Sequence, residues 1–203
     1  MDNGKEVEMK MDAIKSKRIG DELLEIYLDE DPISPRECDN FGKIEMYHRD
    51  YDFPHEGGFK NDVEGLKEYL KENRDNIVIL PIRLYDHSGI TISTGNEYPY
   101  NDRWDSMQVG YIYATKEDIK KNWSVKRVSK QLIKKATELL EGEIETYDQY
   151  LRGEIYGFNL SKVSKCDHGD EHLDNIDSCW GFYSIEDILD QLDEKWKGGE
   201  WVE

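Results

Sequence analysis

The chain has 203 residues, with 45 Asp and Glu against 27 Lys and Arg, for a formal net charge of −18. Thirteen tyrosines and five tryptophans are too many for a disordered polyanion, so a packed core lies beneath the charge. The longest apolar stretch, Ile77 to Leu80 and then Ile82 across Pro81, is far below the roughly 20 residues of a membrane span, and the acidity disfavours unaided binding to DNA, RNA or an anionic membrane, because no counterion release would drive it.

In chain order, residues 1–20 show charges without periodicity and read as a flexible N-terminal arm. Leu23, Leu24, Ile26 and Leu28 suit a strand that Asp29-Glu30-Asp31-Pro32 ends, and Lys43 to His48 suits a second, able to pair with the first as a ribbon. Tyr51 to Gly58 is loop, and Val63, Leu66, Tyr69 and Leu70 recur at helical spacing behind an Asn61 or Asp62 cap. Ile77 to Asp86 is the clearest strand, turning through Asp86-His87-Ser88-Gly89 into Ile90 to Thr94. Pro81, lacking an N–H, places that strand at an edge or beside a bulge.

Gln108 to Ala114 alternates as a third strand, and Thr115-Lys116-Glu117-Asp118 opens a helix with a capping box. A long helix runs from Val128 through Tyr150 and stops at Gly153. Glu154 to Leu160 reads as a strand, Ser161 to Asn175 as a polar loop, and Asp177 to Tyr183 as a returning strand. From Ser184 a closing helix carries Ile185, Ile188, Leu189, Leu192 and Trp196 as one apolar stripe. Runs of strands separated by helices predict an α+β fold: an antiparallel sheet of about five to seven strands with helices packed on one face, residues 21–203 forming a single domain.

The charge falls in blocks. Residues 21–75 hold 17 acids and 7 bases, residues 141–203 hold 17 and 5, and the intervening 115–140 hold 3 acids and 8 bases. Such patterning presents faces of one sign after folding. The opening Met1-Asp2-Asn3-Gly4-Lys5-Glu6 lacks the basic start and apolar block of a secretion signal, and the odd set Cys38, Cys166 and Cys179 forms no disulfide framework, so a reducing host cytoplasm is expected.

Few constellations carry chemistry. Cys166, His168 and His172 lie among Asp167, Asp170, Glu171 and Asp174, yet Gly169 and the acids favour a solvated hairpin tip over a metal site. His87, Asp105 and Cys179 are the ingredients of a thiol- or metal-dependent enzyme, the alternative reading, although Cys179 beside Trp180 in a strand reads as an ordinary buried thiol. Asp105-Ser106 and Asp177-Ser178 fit turn caps. No phosphate-binding glycine loop is present. Catalytic residues, cofactors and metal ligands are therefore not assigned.

The segments DPISPRE (31–37), Asp39-Asn40-Phe41-Gly42, His48-Arg49 with Tyr51, LPIRLYDHSGITIST (80–94), Trp104-Asp105-Ser106 with Gln108-Val109-Gly110, YDQYLRGEIYGF (147–158) and DSCWGFY (177–183) resemble a family of small proteins of phages, plasmids and bacterial mobile elements. The resemblance covers roughly residues 29–183 and brings context without a catalytic residue. Small acidic proteins in that context often inhibit host defence, some by nucleic-acid mimicry. The acidic blocks together with this resemblance, to a family itself functionally uncharacterised, lead to the expectation of an anti-CRISPR or anti-restriction inhibitor whose partner is a basic nucleic-acid-binding protein. The residues expected to meet it are Asp29, Glu30, Asp31, Asp50 and Asp52, and Glu186, Asp187, Asp190, Asp193 and Glu194. A partner-binding protein of phage or plasmid maintenance is a further reading.

Overall fold

The computed structural model describes residues 12–87, 89–95, 106–166 and 168–202. The chain divides into two compact units: a terminal unit of Met1–Ile33 with Gly153–Glu203, and a central unit, Ser34–Arg152. Both are α+β, and every strand pairing is antiparallel.

In the terminal unit, β1 (Lys15–Ile19), β2 (Glu22–Leu28), β7 (Tyr156–Lys165) and β8 (Glu171–Phe182) form a sheet in the order β1-β2-β7-β8. Leu24, Ile26, Phe158 and Leu160 alternate onto one face and pack with Phe182, with Ile188 of α4 (Ile185–Gln191) and with Trp196. Residues 1–11 lie outside the described residues, whereas Lys15–Ile19 of the expected flexible arm is strand β1. Its inward residue is Lys17, buried to 5% exposure, whose ammonium donates to the carbonyls of Trp196, at 2.8 Å, and Gly198 and lies 5.5 Å from the Trp201 ring. A lysine at a core position conceals the strand from a hydrophobicity reading. Beside it Ser16 exchanges backbone hydrogen bonds with Val202, tying the chain's end to β1.

Two predicted boundaries move. The polar loop expected over 161–175 is largely strand, because β7 continues to Lys165 and β8 begins at Glu171, pairing as a ribbon whose polar residues, Ser161 apart, are mostly exposed. The closing helix ends at Gln191, Leu192 turns extended, and Trp196 reaches the core from a short 3-10 turn, Glu194–Trp196.

The central unit holds β3 (Lys43–Met46), β4 (Ile77–Asp86), β5 (Ile90–Thr94) and β6 (Ser106–Thr115) in the order β3-β6-β4-β5. Helix α3 (Lys130–Leu151) covers one face, setting Leu140, Ile144 and Tyr147 against Ile44, Met46, Ile82, Leu84 and Ile112. Helix α1 (Val63–Glu72) covers the other through Leu66 and Leu70 against Tyr113. Instead of one sheet with helices on one face, the eight strands among the described residues form two sheets of four, and the central sheet is sandwiched. Along β6, Ile112 and Ala114 face one way and Tyr111 and Tyr113 the other, so both faces need cover. Helix α2 (Lys116–Asn122) follows with both halves of the Thr115–Asp118 capping box in place.

The β2–β3 ribbon expected from sequence does not form: β2 pairs with β1 and β7, and β3 with β6. Pro81 lies in an interior strand, one residue beyond the end of the β4–β5 ladder and next to a bulge at Ile82/Arg83, where a missing N–H costs least. Replacing Lys17 by Met leaves the Trp196 and Gly198 carbonyls without their buried donor. It is expected to cost about 1–3 kcal/mol, measured by urea unfolding, with faster amide exchange at Val202.

Candidate functional site

Two surfaces stand out: the acidic exterior of the terminal unit and a cleft in the central unit. The ten acids expected to meet a partner divide between them. Asp29, Glu30 and Asp31 after β2, and Glu186, Asp187, Asp190, Asp193 and Glu194 on and after α4, belong to the terminal unit; Asp50 and Asp52 belong to the central unit. The fold therefore does not keep the first predicted group in one unit. Asp187 accepts the Ser184 hydroxyl at 2.7 Å within a helix cap, and Lys197 pairs with Asp190 at 3.1 Å and Glu194 at 2.8 Å. Asp50 pairs with Arg49 at 2.7 Å, while Asp52 lies 4.0 Å from Lys60.

The fold concentrates charge in one unit. The terminal unit holds 23 Asp and Glu against 9 Lys and Arg, a net −14, and the central unit holds 22 against 18, a net −4. Strand β8 is the open edge of the acidic unit's sheet, exposed at every residue from Glu171 to Gly181. It carries Glu171, Asp174 and Asp177 with Leu173, Ile176 and Trp180 at 50%, 52% and 38% exposure. Trp180 lies over Gly157, where a Cβ would fall 2.0 Å from its ring, so glycine there makes room for the indole.

The central cleft, about 460 Å³, is built around Arg36. Ser34 caps the short 3-10 turn Pro35–Glu37, which aims Arg36 inward. Its guanidinium, 4% exposed, donates from Nε and Nη2 to Glu56 at 2.9 and 2.5 Å, and from Nη1 to Glu143 at 3.0 Å and Asn40 Oδ1 at 3.2 Å. Nη2 also donates to the Gly42 carbonyl at 2.8 Å. Glu143 in turn accepts from the Phe41 and Gly42 N–H groups, and Glu56 from Ile44 N–H. Tyr51, Phe53, Tyr147 and Tyr150 supply aromatic walls, with Glu37 and Asp52 at the margin. Tyr51 also donates to Asp86 at 3.1 Å. A smaller pocket of about 260 Å³, with Tyr85, His87 and Arg152, shares Ile90 and Leu151 with the cleft. Segments 31–37, 80–94 and 147–158, separate in sequence, all contribute lining residues.

Sequence reasoning passed over Arg36, Glu56 and Glu143, because single charged residues far apart in the chain form no motif. It also passed over Glu45, whose carboxylate is fully buried beneath the opposite face of the sheet. Glu45 accepts from Gly57 N–H at 2.5 Å, meets His55 Nδ1 at 3.0 Å and accepts the Tyr47 hydroxyl at 3.3 Å, clamping the 55–59 loop.

The described residues do not place the three residues of the enzyme reading in one unit. His87, exposed and stacked on Tyr85, lies in the central unit, Cys179 lies in the terminal unit, and Asp105 lies outside the described residues. Cys179 is exposed on β8 rather than buried, because the strand is an edge. Asp167 lies outside the described residues, and among those described no three His, Cys, Asp or Glu side chains gather as a metal-holding group. No helix among them is long and apolar enough to cross a membrane. Comparison with family models, curated proteins and solved structures returns no match.

Arg36→Met leaves two carboxylates facing each other without their cation. It is expected to destabilise the central unit by about 3–5 kcal/mol in denaturant unfolding, and Arg36→Lys to rescue little, since an ammonium cannot fork between both partners. Burial, helped by nearby Glu45, pushes the Tyr47 hydroxyl from 10.0 up to about 12; burial, then Tyr150, does the same for Tyr147. Tyr113 shifts upward as well, first through burial. Folding favours the protonated phenols, so their contribution is complete below pH 10 and lost as pH rises through about 12. Ultraviolet titration should show these tyrosines ionising late, and Tyr147→Phe should flatten the fall in stability between those two values.

Proposed function

We propose that this protein is an inhibitor carried by a phage or plasmid, binding a basic nucleic-acid-processing effector of host defence, a CRISPR effector or a restriction enzyme, through its terminal unit. The observation that supports this reading most is the net −14 carried by that unit, against −4 on the larger central one. A groove that holds nucleic acid with Lys and Arg also attracts a folded polyanion, which has already met most of its ordering cost and competes for the same cations. Glu30, Asp31, Glu186, Asp190 and Glu194 are the exposed acids assigned to that contact. Asp187 is also engaged by the Ser184 hydroxyl at the start of α4.

The test titrates the purified protein into cleavage reactions of CRISPR effectors and restriction endonucleases, at low and high salt and with competitor DNA. Inhibition that weakens as salt or competitor rises is the expected result. Combining Glu186→Lys, Asp190→Lys and Glu194→Lys should lower the inhibitor's affinity at least tenfold at low salt while circular dichroism stays unchanged. Full inhibition by that variant would sink the mimicry mechanism, and absence of inhibition of every effector would sink the function.

A further inference from the structure

The cleft of the central unit differs in chemistry from the acidic exterior, and Arg36 decides what it can take. Its Nε, Nη1 and Nη2 are all engaged by Glu56, Glu143, Asn40 and Gly42, so the only cationic side chain among the described lining residues is committed to the protein. Among the described lining residues an incoming anion would find no free cation, and would meet Glu37, Asp52 and Glu56 instead. Four aromatic rings, Tyr51, Phe53, Tyr147 and Tyr150, share the rest of the lining with Ser34, Pro54, Ile90 and Leu151. Tyr147 and Tyr150 stand one helical turn apart on α3 with rings 14° from parallel and centroids 6.0 Å apart, and Tyr51 and Phe53 pair at 5.8 Å. Aromatic faces with carboxylates at the margin are the surroundings an organic cation prefers, through its attraction to the ring quadrupole and to the charge. The volume, about 460 Å³, falls in the range of sites that enclose a small ligand.

We infer that this cleft binds an alkylguanidinium or alkylammonium group, its stem against Tyr147, Tyr150 and Phe53 and its charged head toward Asp52 and Glu37. The group can come from an arginine or lysine side chain of another protein or from a free amine such as a polyamine. The inference does not depend on the acidic terminal unit, and either can fail alone.

Isothermal titration of the full chain with n-butylguanidinium, spermidine and a capped tripeptide containing one arginine tests it, with n-butylurea as the uncharged isostere. The cations should bind, butylurea should bind at least about tenfold more weakly, a difference of about 1.4 kcal/mol, and amide chemical shifts should move at the lining residues. The combined Glu37→Gln and Asp52→Asn variant, altered at exposed positions that leave the core intact, should lose about tenfold in affinity for the cations, and Tyr150→Leu a comparable factor. Asp39→Asn, outside the cleft, should lose none. Tighter binding of the peptide than of spermidine identifies a protein side chain as the source, and the reverse a free amine. Equal binding of butylurea, no shift at lining residues with millimolar cation, or shifts confined to the terminal unit would overturn the inference.

Discussion

The central unit depends on one buried guanidinium. Arg36 joins the turn that begins the unit, the loop carrying Glu56, the start of β3 through Gly42, and α3 through Glu143. Five hydrogen bonds converge on a side chain with almost no access to water. The two carboxylates need the cation to lie so close together, and they use their remaining lone pairs on the N–H groups of Phe41, Gly42 and Ile44. A network of this kind specifies geometry more than it adds stability. It sets where the 3-10 turn and the 51–56 loop stand against α3, and the cleft is the space between them.

The terminal unit solves a different problem, joining the two ends of a chain that carry most of its negative charge. A sheet of four strands and one short helix provides a modest core, and the closing contact is made by Lys17, a cation inserted beneath the final turn. Carbonyl oxygens there do what carboxylates do for Arg36. Acids are thereby left on the outside, on β8, α4 and the loop after β2, where water solvates them and an approaching cationic surface meets them first.

In the two proposals the units engage positive charge in different ways. One spreads acids over an exterior, where attraction is long-ranged and sensitive to salt; the other encloses aromatic rings and carboxylates, where a single cationic group gains from contact.

Much of the local structure is legible in the sequence, because local structure is set by neighbours along the chain. Thr115 with Asp118, Ser184 with Asp187 and Asp62 with Gly65 cap their helices as their spacing indicates, and β4 pairs with β5 from Asp86 and Ile90 onward. Net charge and its blocks are likewise properties of the chain itself. Tertiary structure alone decided the partition into two units, the pairing of β2 with β7 instead of β3, and the strand made by residues 15–19. It alone brought Arg36, Glu56 and Glu143 together across 107 residues of sequence. Capping and alternation act over a few residues and leave a periodic trace, whereas a buried ion network is selected by what the folded core leaves unsatisfied, and nothing in the local sequence records that.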